Sequence, residues 1–145
     1  MKKILIIASL AFPIYLQAQE IPKKANTIMV KGVSFDEAAS ALMDHHYNIQ
    51  NTDRMLQIMS TSKAKSLKHS TVYLKINVRI KDTTAIITGI ASDNIWVSSY
   101  GIYSAPPQYL PIAKLGAKDS PALNAWAELN EFALSFNKPV EYLKQ

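Results

Sequence analysis

The stretch Thr71-Val-Tyr-Leu-Lys-Ile-Asn-Val-Arg-Ile-Lys81 alternates polar and apolar residues without interruption. Because every second side chain of a β-strand points to the same face, this pattern puts the aliphatic residues on one face and the polar residues on the other. A strand covered on both faces, as in a parallel sheet, would be apolar throughout. The stretch therefore predicts a long antiparallel strand with one buried face and one solvent-facing face.

The residues that follow, Thr84 to Ala91, predict the second strand of a β-hairpin with its turn at Asp82-Thr83. A two- or four-residue loop sets Ile76 opposite Gly89, whereas a three-residue loop sets Ile76 opposite Ile90. The pattern leaves both registers open. We favour the first, because an inward-facing glycine lets a helix approach the sheet closely.

Residues 1–18 have the parts of a bacterial export signal. Lys2-Lys3 supplies the positive start, residues 4–16 form an apolar run, and small residues precede the expected cleavage before Gln19. The apolar run is short for a bilayer span. We therefore predict a signal peptide and a mature chain in the periplasm of a Gram-negative bacterium or secreted, with no transmembrane span after cleavage. An uncleaved membrane anchor is the alternative.

Charge and composition narrow the classes of function. Loss of the two signal lysines lowers the formal net charge from +5 to +3. Export argues against nucleic acid as a partner, so the basic run Lys63, Lys65 and Lys68 is interpreted as a solvated loop. The chain has no cysteine, which excludes disulfides, thiol nucleophiles, thiolate metal sites and lipid attachment through cysteine. The mature length suits a single domain, residues 19–145.

Two helices are predicted, each with a start signal. Ser34-Phe-Asp-Glu37 has the form of a capping box, and the first helix is expected to run from Phe35 to about Tyr47. Ser120-Pro121 starts the second helix, which ends near Asn137. Apolar residues at helical spacing in the second helix predict a buried stripe. They are Ala122, Ala125, Trp126, Leu129, Phe132, Ala133 and Phe136.

Shorter strand signals complete the predicted sheet. Thr27 to Lys31 forms a first strand, and the segments 48–52 and 55–61 form strands joined by a bend, with Leu56 and Ile58 on one side. Residues after the last helix are expected to form a tail. The order β-α-β-β-β-α predicts an α+β fold, in which an antiparallel sheet of about four strands carries two helices on one face.

Element order and length from Thr27 to Phe136, including the phrase Tyr47-Asn-Ile-Gln50, resemble small exported bacterial envelope domains with a TBP-like or helix-grip fold, such as those of the BamC lipoprotein. The resemblance implies scaffolding or binding rather than catalysis, and it carries no catalytic residue across. The chain departs from the lipoprotein members in having no cysteine to hold a lipid.

Histidines and acids are the candidates for chemistry. Asp44-His45-His46 contains metal-ligand residue types, but neighbouring helical residues point about 100° apart, so the two imidazoles do not converge on one ion. We expect His46 to pack at the rim of the helix and His45 to be solvated, with His69 in a loop. The acids fall mostly at caps, turns and polar helix faces, and nothing marks two of them as a facing pair. We predict no metal site and no cofactor.

Residues 93–120 form a long irregular connection that contains Pro106-Pro107. Its aromatic residues are Trp96, Tyr100, Tyr103 and Tyr109. Such rings suit recognition of a protein, peptide or glycan of the cell envelope, and equally suit covering the sheet to complete the core. We predict a non-catalytic binding or assembly module with these residues as its partner-binding surface. A hydrolase acting on envelope glycan or peptide is the alternative.

Overall fold

The structure is a computed structural model that describes residues 21–61, 65–66, 72–93 and 109–144. The predicted signal peptide lies outside the described residues. Within these residues, the first element is the first predicted strand, and the last is a strand where a tail was expected. Neither helix of the described chain is long and apolar enough to cross a membrane.

The described part of the chain forms an antiparallel sheet and two helices, which confirms the α+β class. The strands are β1 (Thr27–Lys31), β2 (Ile49–Asp53), β3 (Ile58–Thr61), β4 (Lys65–Ser66), β5 (Val72–Lys81), β6 (Thr84–Asp93), β7 (Leu110–Pro111) and β8 (Val140–Leu143). The prediction of about four strands was therefore too low. The main sheet order is β2-β3-β5-β6-β1-β8, while the short strands β4 and β7 pair with β5 and β6. The helices are α1 (Phe35–Asp44) and α2 (Pro121–Leu134).

The β5–β6 hairpin is the centre of the sheet, and its register is the one favoured from the sequence. Ile76 lies opposite Gly89, and Val78 lies opposite Ile87. The turn residues Asp82-Thr83 both have positive φ, 48° and 59°. Positive φ at both central residues is the mark of a two-residue type I′ turn, whose twist matches that of the flanking strands. The turn therefore fixes the register.

Gly89 faces inward, where the sheet and α2 come closest. A β-carbon placed on it would lie 2.7 Å from Ile112 Cδ1 and 3.3 Å from Leu129 Cδ1. Both distances are shorter than an ordinary carbon–carbon contact. Gly89 thus leaves room for α2, as the sequence predicted. It also leaves room for the chain that follows β7.

The core fills the space between one face of the sheet and the two helices. Alternate residues of β5 are buried while Arg79 and Lys81 are exposed, which confirms the predicted faces. The α2 stripe is buried as predicted except at Ala122, which is exposed. The largest fully buried side chains include Tyr47, Phe132, Ile28, Leu42, Met59, Leu74, Ile76, Ile87 and Leu129.

Helix α1 begins as predicted and ends earlier. The Glu37 amide donates to Ser34 Oγ and the Ser34 amide donates to the Glu37 carboxylate, which completes the capping box. The Lys138 ammonium also donates to this carboxylate and lowers the pKa of Glu37. At the other end, His46 adopts the left-handed conformation (φ 63°).

The early end of α1 follows from a Schellman motif. The His46 amide donates to the Met43 carbonyl, and the Tyr47 amide donates to the Leu42 carbonyl. Tyr47 and Leu42 are both buried, which supplies the apolar contact that accompanies this motif. Burial of Tyr47 is thus what stops the helix before the predicted position.

The β2–β3 hairpin shows that β3 is shorter than the predicted strand of residues 55–61. The Asp53 carboxylate accepts the amides of Met55 and Leu56, both at 2.9 Å, and so closes a turn in which Leu56 is exposed. The chain re-enters the sheet at Ile58 with Met59 pointing into the core. The predicted bend is therefore a full turn, and Leu56 lies in this turn rather than on one side of a strand with Ile58.

The expected tail after α2 is the edge strand β8. Val140 pairs with Val30 and Tyr142 pairs with Ile28, and the Tyr142 hydroxyl donates to Asn130 Oδ1 at 2.7 Å. Alternation of Val140 and Tyr142 along the chain was the available signal, but it covers too few residues to be distinctive.

Candidate binding pocket

An apolar pocket of about 290 Å³ is formed by the ends of β6 and β7, the chain that follows β7, and the first turn of α2. Its volume is at the lower end of the range for small-molecule sites, about 300 to 1,000 Å³. The described residues that line it are aliphatic apart from Ser92. Those that matter most below are Ala91, Leu110, Ile112, Leu115, Ala122 and Ala125.

Small side chains account for the space in this pocket. Ala91 of β6 pairs with Leu110 of β7, and Ala122 and Ala125 lie on the first turns of α2. A methyl group at each of these alanine positions leaves a gap that larger aliphatic residues would fill. Because Ile112 is buried against Gly89, the floor of the pocket is closed by the core.

Two large apolar side chains of the pocket are left in solvent. Leu110 is 67% exposed and Leu115 is 55% exposed. Single exposed leucines are common on protein surfaces, but here both belong to one concave apolar site. Contact with an apolar ligand would remove this area from water, which is the main favourable term in binding of this kind.

Ser92 is the polar member of the lining. It is 2% exposed, and its Oγ has no hydrogen-bond partner among the residues that the structure describes. Burial of a hydroxyl without a partner is unfavourable, and native proteins retain such groups rarely. Ser92 pairs with Tyr73 across the β5–β6 hairpin, so its side chain points to the face of the sheet away from α2.

We expect Ser92→Ala to leave the free energy of unfolding unchanged or to raise it, because the substitution removes an unpaired buried polar group. Thr61→Val is the matched control. Thr61 is equally buried, and its Oγ1 accepts the Ile76 amide at 3.0 Å. Loss of that acceptor leaves the buried Ile76 N–H without a partner and should destabilise the fold by about 1 to 3 kcal/mol. Urea denaturation followed by circular dichroism measures both, and a similar loss in the two variants would contradict the account of Ser92.

The amino terminus of α2 provides a polar end to the pocket. Ser120 Oγ accepts the Leu123 amide at 3.2 Å, and Pro121 has no amide hydrogen. The Ala122 amide has no acceptor within the helix, as is general for first-turn amides. The first turn of α2 contains no acidic residue. The partial positive charge at this end of α2 is therefore not opposed by an acidic side chain of the first turn. Asp119, just before the cap, is exposed.

Of the predicted partner-binding residues, the structure describes Tyr109. Its side chain is half-buried, and Lys75 Nζ lies 4.5 Å from the centre of the ring on the sheet face away from the helices. Trp96, Tyr100 and Tyr103 lie outside the described residues. The segment that holds them leaves the described chain next to Ser92 and rejoins it at Tyr109, beside Leu110.

The histidines lie in the reverse of the expected arrangement. His45 is half-buried and packs edge-on against the Phe132 ring, with 5.6 Å between ring centres, whereas His46 is exposed. The left-handed turn at His46 carries its side chain away from the α1 face, which explains the reversal. His69 lies outside the described residues. Within the described part of the chain, no three potential metal ligands come together.

Several acids have structural contacts. Asp36 pairs with Arg54 at 2.7 Å, and Glu141 pairs with Lys31. Glu128 accepts the Tyr47 hydroxyl at 3.2 Å. Burial raises the pKa of Tyr47, and the nearby carboxylate charge of Glu128 raises it further. This hydroxyl is therefore a donor at neutral pH and ties α2 to the end of α1.

Two comparisons with known proteins suggest no function for this chain, so its function has to be argued from its own sequence and structure. A scan against protein-family models gives no match, and a search of curated proteins gives none either. The sequence did not point to the pocket, because alanine and leucine at these positions carry no chemical signature. The detectable sequence signal was the helix start at Ser120-Pro121.

Proposed function

We propose that this protein is an exported, non-catalytic binding or assembly module whose ligand site is the apolar pocket between β6, β7 and α2. The observation that carries the proposal is the concave aliphatic lining with Leu110 and Leu115 left largely exposed at it. An apolar site that a ligand can cover is the default location for binding in a domain of this size. The amino-terminal pattern of residues 1–18 supports a periplasmic or secreted location.

The predicted recognition residues are close to lining residues of this pocket in the sequence. Trp96, Tyr100 and Tyr103 lie in the segment between Ser92 and Leu110, both of which line the pocket. Tyr109 adjoins Leu110 and offers a half-exposed ring. We propose that an envelope protein, peptide or glycan brings an apolar group to the pocket while these rings contact its remainder.

Export is tested on the full-length chain expressed in a Gram-negative host. We expect the periplasmic fraction to contain a protein that begins at or near Gln19, because the cleavage pattern ends there. Intact mass and amino-terminal sequencing measure this directly. Recovery of the uncleaved chain in the membrane fraction would favour an anchor instead.

Filling the pocket should abolish its capacity to bind apolar molecules. Ala122→Phe puts a ring at the pocket, whereas Ala127→Phe puts the same ring on an exposed part of the same helix outside the lining. We expect the first variant to weaken binding of the neutral dye Nile red by at least about tenfold, or 1.4 kcal/mol, and the second to leave it unchanged. Fluorescence titration of the mature protein gives both dissociation constants. Equal affinities in the two variants would move the binding site elsewhere.

A further inference from the structure

Resting on the proposed function, we propose that the apolar group which enters the pocket comes from a second copy of this chain. That group is the pair Met55 and Leu56 in the β2–β3 turn, which we call the apolar tip. Each copy has one apolar tip and one such pocket, so the contact joins copies head to tail. The partner that the site recognises is therefore an identical chain.

Both side chains of the apolar tip lie in water. Met55 is 95% exposed and Leu56 is 62% exposed. Glycine, proline, asparagine, aspartate and serine dominate turns, so two large apolar residues side by side are unusual there. A partner that covers them removes aliphatic area from water, as does a partner that covers Leu110 and Leu115 at the pocket.

Hydrogen bonds hold the backbone of this turn in one shape. The Asp53 carboxylate accepts both amides of the apolar tip, and the Gln57 side-chain amide donates to the Arg54 carbonyl at 2.6 Å. The Gln57 carbonyl accepts the Ile80 amide at 2.8 Å, which joins the turn to β5. Because the turn is ordered before any contact forms, binding through the tip costs little backbone entropy.

The apolar tip and the pocket lie at opposite ends of the β5–β6 hairpin. The turn that carries the tip is bonded to Ile80 of β5, whereas the pocket residue Ala91 lies opposite Leu74 of the same strand. The strand from Leu74 to Ile80 spans about 20 Å, at about 3.4 Å per residue. A folded molecule cannot place its own tip in its own pocket, so the contact has to form between copies.

The charges next to the two surfaces in the sequence favour the contact. Arg54 beside the tip is paired with Asp36 at 2.7 Å, which leaves Asp53 as the other charge next to the tip. In the segment that forms the pocket, 110–125, cations outnumber acids. They are Lys114 and Lys118 against Asp119. A negative charge at the tip therefore meets a net positive segment.

A single contact of this kind is expected to be weak. Stable specific interfaces bury about 1,200 to 2,000 Å², and two side chains in one pocket bury much less. Most of the gain from their burial is offset by the loss of translational and rotational freedom. We therefore expect a dissociation constant of about 0.1 to 1 mM between two copies.

Self-association of the mature protein is measured by translational diffusion in NMR at concentrations up to about 2 mM, above the expected dissociation constant. We expect diffusion to slow as the concentration rises. Met55→Ser combined with Leu56→Ser, the tip variant, should weaken association at least about tenfold, and so should Ala122→Phe. Met43→Ser is the matched control, because Met43 is an exposed methionine on α1 outside the tip. This control should associate as the wild type does.

A mixture of two variants tests the head-to-tail arrangement. The tip variant keeps its pocket and Ala122→Phe keeps its tip, so the two associate with each other although neither associates alone. We expect the ¹⁵N-labelled tip variant to show saturable amide shifts at Ala91 and Ile112 when unlabelled Ala122→Phe is added. The dissociation constant should be within about threefold of that for the wild type. Unlabelled tip variant, added to the same sample, should cause no such shifts.

Wild-type diffusion that does not change with concentration, or a mixture without shifts, would overturn the assignment of a second copy. Binding of the wild type to vesicles of phosphatidylethanolamine and phosphatidylglycerol, lost in the tip variant and kept in Ala122→Phe, would also overturn it and make the tip a membrane contact. The proposed function would survive each of these results if Ala122→Phe still abolishes Nile red binding. Nile red binding unchanged by that substitution would contradict the proposed function itself.

Discussion

Replacement of Phe132 with alanine is expected to lower the free energy of unfolding by about 3 to 5 kcal/mol, the largest effect of any substitution considered. Phe132 is fully buried on α2, and its ring contacts His45, Tyr47 and Phe136 with centre-to-centre distances of 5.6, 6.3 and 5.4 Å. Removal of the ring leaves a cavity where α2 meets the end of α1, and it also removes three edge-on aromatic contacts.

The control for this prediction is Leu134→Ala. Leu134 lies on the same helix two residues later and is half-exposed, so its truncation should change stability by less than about 1 kcal/mol. Urea denaturation of the mature chain, followed by far-ultraviolet circular dichroism, gives both values. A loss below about 2 kcal/mol for Phe132→Ala would show that this aromatic cluster does not join the two helices.

Gly89→Val is expected to produce the second large loss, because the space in front of Gly89 is already occupied. Its β-carbon would be 2.7 Å from Ile112 Cδ1 and 3.3 Å from the Lys75 carbonyl oxygen. Ile112 can move by changing rotamer, but the carbonyl belongs to the neighbouring strand and cannot move without disturbing the sheet. We expect Gly89→Ala to cost about 1 to 3 kcal/mol and Gly89→Val to cost more.

Thr88→Val is the matched control for Gly89, since it introduces the same side chain at the adjacent position on the opposite face of β6. Thr88 is half-buried and faces away from α2, and valine suits a strand at least as well as threonine. The thermal midpoint of the Thr88→Val variant should therefore stay close to that of the wild type. Equal stability of Gly89→Val and Thr88→Val would contradict close packing of α2 on the sheet.

The elements predicted correctly are those that local physical rules determine. Alternation over β5, the capping box at Ser34, and Ser120-Pro121 at the start of α2 each specify structure within a few residues. The register of the β5–β6 hairpin was also accessible, because an inward glycine at position 89 is useful only where another element approaches the sheet.

The errors occurred where a tertiary contact decides the local structure. Burial of Tyr47 ends α1 early, and the Asp53 carboxylate closes a turn that delays the start of β3 to Ile58. Strand β8 forms because its backbone pairs with β1 at the edge of the sheet. Its four residues are too few for their alternation to predict a strand from the sequence.

The pocket was not predictable from the sequence for a related reason. Its alanines would suit an ordinary packed interface equally well, and only the spacing of α2 from β7 turns them into a cavity. Ser92 likewise has no sequence feature that marks it as lacking a partner. Trp96, Tyr100 and Tyr103 lie outside the described residues, so their role in binding stays a prediction.

The most direct test of the proposed binding site is amide chemical-shift mapping of the mature, ¹⁵N-labelled protein during titration with 1-octanol, a neutral apolar probe. The site proposed here predicts saturable shifts centred on Ala91, Ile112 and Ala122, and no such shifts in Ala122→Phe. Saturable shifts confined to the opposite face of the sheet, around Arg79 and Ile86, would contradict it.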